Sequence, residues 1–158
     1  MEAEKQVLQF RIVLADIDPP IWRRIQVPSW YSLWDLHVAI QDAMGWLDYH
    51  LHAFRFPAEA WREFEFGIPI DDVSYDEDVV RTEAGWLQAA DTFFCAPGDR
   101  AEYAYDFGDD WCHDIVLEAI LPPENGVQYP RCLDGARAKA GAREVEDILG
   151  RLEHGVFS

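Results

Sequence analysis

Positive charge is scarce in this sequence. Lys and Arg total 13 against 30 Asp and Glu in 158 residues, a formal net charge of −17. A surface of that sign repels phosphate backbones, so direct nucleic-acid binding is not expected, and docking on anionic lipid is disfavoured. Cysteine is scarce as well. Cys95, Cys112 and Cys132 are odd in number, widely spaced and form no CxxC. This argues against a disulfide framework or a cysteine-based zinc ribbon and predicts reduced, ordinary thiols in a cytoplasm. No apolar run approaches the ~20 residues that span a bilayer, and the opening MEAEKQVLQF has neither the basic nor the apolar region of a secretory signal. Repeats and low-complexity tracts are absent. Against these absences stand a hydrophobic fraction of 49% and an aromatic fraction of 14%, which separate the chain from acidic disordered sequences. The length suits one domain with a real core.

The apolar pattern sets the expected elements. Phe10, Ile12 and Leu14 alternate with more polar neighbours, as do Ile21, Arg23, Ile25 and Val27, giving two strands bounded by Asp18-Pro19-Pro20 and Pro28. Ser32 and Asp35 form a capping signature ahead of Leu33, Leu36, Ile40 and Ala43, with Gly45 as the stop, so residues 33–44 are predicted helical. Trp34 and Val38 fall on another face of that helix. His50 to Phe56 reads as a strand with His50, His52, Phe54 and Phe56 on one face. A strand over Trp61 to Ile68, a solvated acidic loop at 71–78 and a short helix over Thr82 to Ala90 follow. Tyr103, Tyr105 and Phe107, then Trp111, His113, Ile115 and Leu117, form a hairpin around Gly108-Asp109-Asp110. A loop at 129–137 and a tail helix at about 143–152 close the chain. The expectation is a single α+β domain: a curved, mostly antiparallel sheet packed by one main helix.

Two pairs of strings carry a resemblance. PPIWRRIQVP (19–28) with LWDLHVAIQDAMGWLDYHLHAFRF (33–56), and YDFGDDWCHDIVLEAILPP (105–123) with YPRCLDGARA (129–138), resemble the plasmid pRiA4b ORF-three-like family in order and spacing. The resemblance runs from about residue 7 to 140 and implies an α/β roll, with residues 139–158 as a diverged tail. Some members carry a transposon resolvase or passenger label, which implies a role near mobile elements. The residues do not suit recombinase chemistry. The four serines are Ser29 and Ser32 at the helix start, Ser74 in the acid loop and Ser158 at the end, and there is neither a basic DNA-binding arm nor a helix-turn-helix.

Four constellations could carry chemistry. His50, His52 and His113 with Asp106, Asp109 or Asp110, beside Trp111, have the composition of a zinc or other divalent-metal site able to activate water. The same histidines share faces with Phe54 and Ile115, where partly buried, hydrogen-bonded imidazoles are the commoner outcome. Arg11, Arg23, Arg24 and Arg55 suit an anionic ligand, or internal ion pairs with Asp106, Asp109, Asp110 or Asp114. Asp72, Ser74, Asp76, Asp78 and Glu83 follow an EF-hand register, but Glu77 occupies the position that needs glycine, so a solvated run is expected. Trp30, Tyr31 and Trp34 form a candidate patch for a protein partner, while most of the seven tryptophans should be core. The reading reached is a cytoplasmic binding or interaction domain that takes an unknown protein or small ligand, with no cofactor firmly implied and zinc as the candidate divalent metal. The alternatives are a metal-dependent hydrolase, and a mobile-element accessory protein that acts through other proteins.

Overall fold

A computed structural model describes residues 6–17, 19–48, 50–69, 81–106 and 111–134. The elements are β1 (Val7–Leu14), β2 (Ile21–Pro28), α1 (Leu33–Met44), β3 (His52–Arg55), β4 (Phe64–Gly67), β5 (Arg81–Ala84), α2 (Ala90–Phe93), β6 (Arg100–Tyr105), β7 (Trp111–Leu121) and β8 (Arg131–Asp134). The strands make one eight-stranded sheet in the order β5-β4-β3-β6-β7-β1-β2-β8. Every pairing is antiparallel except β4 with β5, which is parallel.

The sheet buries one face. Leu8, Phe10, Ile12 and Leu14 of β1, and His113, Ile115 and Leu117 of β7, are buried, while Arg11 and Asp114 on the opposite face are exposed. This is the period-two pattern of a sheet covered on one side. The cover is α1, which buries Leu33, Leu36, His37, Ala39, Ile40, Gln41 and Met44. Its start is the expected capping box. The Asp35 backbone N–H donates to Ser32 Oγ at 3.1 Å, and the Ser32 N–H donates to the Asp35 carboxylate at 3.0 Å. Its end is Gly45 at φ 80°, the left-handed conformation glycine adopts without a Cβ penalty. Arg23, buried on the core face of β2, donates from Nε to the Ala43 carbonyl at 3.0 Å and so satisfies the helix terminus from outside the helix.

Several expectations need correction. The Trp61–Ile68 strand is restricted to Phe64–Gly67, preceded by a 3-10 turn at Glu59–Trp61, and the His50–Phe56 strand to His52–Arg55. The Thr82–Ala90 helix is instead strand β5, a 3-10 turn at Gly85–Leu87 and the start of α2. Pairing with β4 captures Arg81–Ala84, because a local propensity of four residues is weaker than a free sheet edge. The loop expected at 129–137 contains β8, which pairs with β2. Cys112 on β7 and Cys132 on β8 are separated by β1 and β2 and are not neighbours. The 71–78 loop, its EF-hand register below Arg81, the 108–110 turn with Asp109 and Asp110, and the 143–152 helix lie outside the described residues.

Candidate functional site

Three buried histidines stand along the helix-covered face. His37 comes from α1, His52 from β3 and His113 from β7. Burial holds all three imidazoles neutral, with pKa values lowered from 6.5 to about 4, about 3 and about 4, respectively. For His52 the neighbouring His37 adds to the lowering and Asp48 opposes it.

His113 is fully engaged. Trp46 can only donate, so its indole Nε1–H points to His113 Nε2 at 3.0 Å, and the protonated Nδ1 donates to the Tyr103 carbonyl at 3.1 Å. His37 belongs to a closed hydrogen-bonded ring. Its Nε2–H donates to the Asp48 carboxylate at 2.9 Å, and its Nδ1 accepts the Tyr103 hydroxyl proton at 2.6 Å. The Tyr103 oxygen accepts from the Gln41 amide at 2.9 Å, and the Gln41 Oε1 accepts from the Asp48 backbone N–H at 2.9 Å. Every polar atom in that ring is placed by the next, which fixes the loop after α1 against the sheet. Burial pushes the Tyr103 hydroxyl well above its usual pKa, so it is no nucleophile.

His52 differs. Its ring stacks on His37 with centroids 3.5 Å apart and planes 10° from parallel, and Trp34 covers it at 5.9 Å. It is 2% exposed, and neither ring nitrogen has a hydrogen-bond partner among the described residues.

The sequence-predicted metal set is therefore dispersed. β6 lies between β3 and β7, so the Tyr103 ring intervenes, 5.9 Å from His52 and 5.2 Å from His113. His50 sits at the rim, half-buried, with Nδ1 3.9 Å from the Asp106 carboxylate. Trp111 packs on Trp46, with ring centroids 5.9 Å apart. Among the described residues, no group of three or more His, Cys, Asp or Glu side chains is placed to hold a metal ion. Among the described residues, Arg24 and Arg55 pair internally with glutamates. Arg24 bonds Glu118 at 2.7 Å, and Arg55 bonds Glu65 at 2.8 Å and Glu102 at 2.9 Å. Glu65 and Glu102 stand on β4 and β6, the strands that flank Arg55 on β3, and Glu118 on β7 reaches Arg24 across β1, while Asp109 and Asp110 lie outside the described residues. Arg11 lies over the Trp22 ring at 4.9 Å.

The aromatic patch assembles from two segments. Leu33 N–H bonds the Gln88 carbonyl and Ala90 N–H bonds the Tyr31 carbonyl, both within 2.9 Å, which pins the start of α1 against residues 85–90. Trp30 is 68% exposed, Trp86 51% and Leu87 74%. Tyr31 and Trp34 are half-buried, and Val38, one turn beyond Trp34, is exposed. Burial, then the nearby Asp35, raises the Tyr31 pKa. Trp34, Ile68 and Trp86 line a shallow, almost wholly apolar concavity of about 310 Å3.

A family model for plasmid pRiA4b ORF-3-like protein matches residues 6–151. The chain belongs to the plasmid pRiA4b ORF-3-like protein family. This pRiA4b ORF-3-like chain is 32% identical over 144 residues to Uncharacterized protein y4hQ of Sinorhizobium fredii (strain NBRC 101917 / NGR234), a match covering 91% of the chain and 67% of the relative. The fold is similar to the crystal structure of a protein of unknown function, MM3350, from Methanosarcina mazei Go1. The TM-score is 0.73 at 34% identity, over 98% of this chain and 85% of that one. The α+β fold expected of a pRiA4b ORF-3-like protein is the fold observed. No helix among the described residues is long and apolar enough to cross a membrane.

Sequence reasoning missed Gln41, Asp48, Trp86 and Leu87 as parts of these sites. The signal for the first two was the pair His37 and Gln41, polar residues one turn apart on an otherwise apolar helix face. Such a pair is buried only with partners.

Proposed function

We propose that this pRiA4b ORF-3-like chain is a binding domain that docks a partner on the surface formed by Trp30, Trp34, Val38, Trp86 and Leu87. The observation that carries this reading is the exposure of Trp86 and Leu87 on a turn held by backbone bonds beside the Trp34 concavity. Large apolar side chains gathered around a concavity mark interaction sites more often than isolated exposed ones do. The histidines support the reading by elimination. His37 and His113 have both nitrogens engaged, and the nitrogens of His52 are buried, so their role is to position α1 under the surface.

The test is site-specific photo-cross-linking in the native host. A photoreactive residue at Leu87 should give a discrete adduct that Trp86→Ala abolishes, while one at the exposed Glu124 gives none. Equal adduct patterns from both positions, or an adduct at Leu87 that survives Trp86→Ala, overturn the proposal.

A further inference from the structure

The chemistry of the partner can be read from where this chain has no cations. There is no Lys or Arg between Arg24 and Arg55, between Arg62 and Arg81, or between Arg81 and Arg100. Trp34, Ile68 and Trp86 come one from each of those stretches. Acidic residues occur in all of them, including Asp35 immediately after Trp34 and Asp48 on the His37 that Trp34 packs against at 5.1 Å. The Asp48 side chain is 42% exposed and reaches solvent. The arginines Arg24 and Arg55 that bound the first stretch are themselves neutralised by Glu118, Glu65 and Glu102. The three residues that line this apolar, indole-walled concavity thus come from stretches of chain that carry acid and no Lys or Arg.

We propose that the occupant of this surface is a basic segment of a partner protein, with an Arg or Lys side chain laid against Trp34 and Trp86. This rests on the binding-domain reading above and names its partner. Three physical terms agree. An indole face attracts a guanidinium or ammonium through its quadrupole, most strongly for tryptophan. Long basic side chains carry an apolar stem that matches Ile68 and Leu87. A net charge of −17 steers cations toward the surface and repels acidic competitors. The volume, about 310 Å3, is at the bottom of the range for sites that enclose a small ligand, and an open concavity of that size suits one projecting side chain.

The experiment titrates the whole chain, by tryptophan fluorescence at low salt, with a short Arg/Leu peptide, its Gln/Leu and Glu/Leu counterparts, and arginine amide. The Arg/Leu peptide should bind saturably, weaken as salt is raised, and lose about fivefold or more in affinity with Trp86→Ala but little with Trp86→Phe. Trp86 is half exposed, so the variant keeps the fold, which circular dichroism checks. Equal, Trp86-dependent binding of the Gln/Leu peptide overturns the cationic partner and leaves the docking surface standing. Arginine amide binding as tightly as the Arg/Leu peptide overturns a protein segment as occupant. Failure of the Arg/Leu peptide to saturate, or binding indifferent to Trp86→Ala, overturns the inference at its base.

Discussion

Acid should unfold this protein earlier than its charge suggests, and His52→Phe should reveal why. Lowering pH toward the pI near 4.4 neutralises carboxylates and relieves self-repulsion. The buried histidines work the other way. Their folded pKa values lie below the ordinary value of 6.5, at about 4, 3 and 4 for His37, His52 and His113. Between 6.5 and those values the unfolded chain binds protons that the folded chain refuses. The stability they contribute is therefore complete above 6.5 and is lost as pH falls. Each histidine removes about 2 kcal/mol between pH 7.5 and 5, roughly 6 kcal/mol in all, against a total of about 5–15 kcal/mol for an ordinary domain. Asp48, whose carboxyl burial raises, acts in the opposite sense and favours the acid side.

His52 isolates the effect, because it stacks on His37 and has no hydrogen bond to lose among the described residues. Phe keeps a flat ring there. Urea unfolding at pH 7.5 and 5.0 should show the variant at least as stable as the parent at 7.5, since two unpartnered buried nitrogens are gone. The variant's loss on acidification should be smaller by about 2 kcal/mol. Carboxylates other than Asp48, which interacts with His52, contribute alike to both proteins and cancel in that comparison. An unchanged pH slope in His52→Phe would show that His52 is not a neutral buried base and would refute the reasoning.

Other perturbations test separate links. Tyr103→Phe removes the hydroxyl shared by Gln41 and His37 and takes the partner from the buried His37 Nδ1 and the Gln41 amide N–H, so denaturant unfolding should show a loss of about 2–3 kcal/mol. Gly67→Ala would drive a Cβ into the backbone carbonyl of His52 across the β3–β4 pair. The expected loss is about 1–3 kcal/mol, read as a lowered Tm. Adding zinc to purified protein should leave Tm unmoved, because His52 and His113 flank the Tyr103 ring and do not converge. A saturable upward shift would show that the histidines rearrange around a metal.

The parts legible in the sequence are those fixed by local rules. Ser32, Asp35 and Gly45 bound α1 through contacts within a few residues, and the alternation through β1, β2 and β7 reports one covered face. Arg81–Ala84 was not legible because its strand state depends on β4, a partner no local pattern names. The same holds for β8 against β2. His52 and His113 are buried on the covered side, whereas His50 stands at the rim, and the convergence of the three turned on strand order. With β6 inserted between β3 and β7, Tyr103 takes the centre a metal was expected to occupy. Trp86 and Leu87 escaped notice because exposure is set by what fails to cover them.

The bond from Arg23 to the Ala43 carbonyl has a kinetic side. The last turn of α1 has no basic residue of its own, so its terminus is completed from β2, twenty positions earlier in the chain. A helix finished by a distant strand cannot reach full stability while the β1–β2 hairpin is open. The hairpin in turn buries Ile25 and Val27 only when the helix-covered core is in place. Helix docking and hairpin closure are thereby coupled, and β1, β2 and α1 are expected to fold or fray together as a unit.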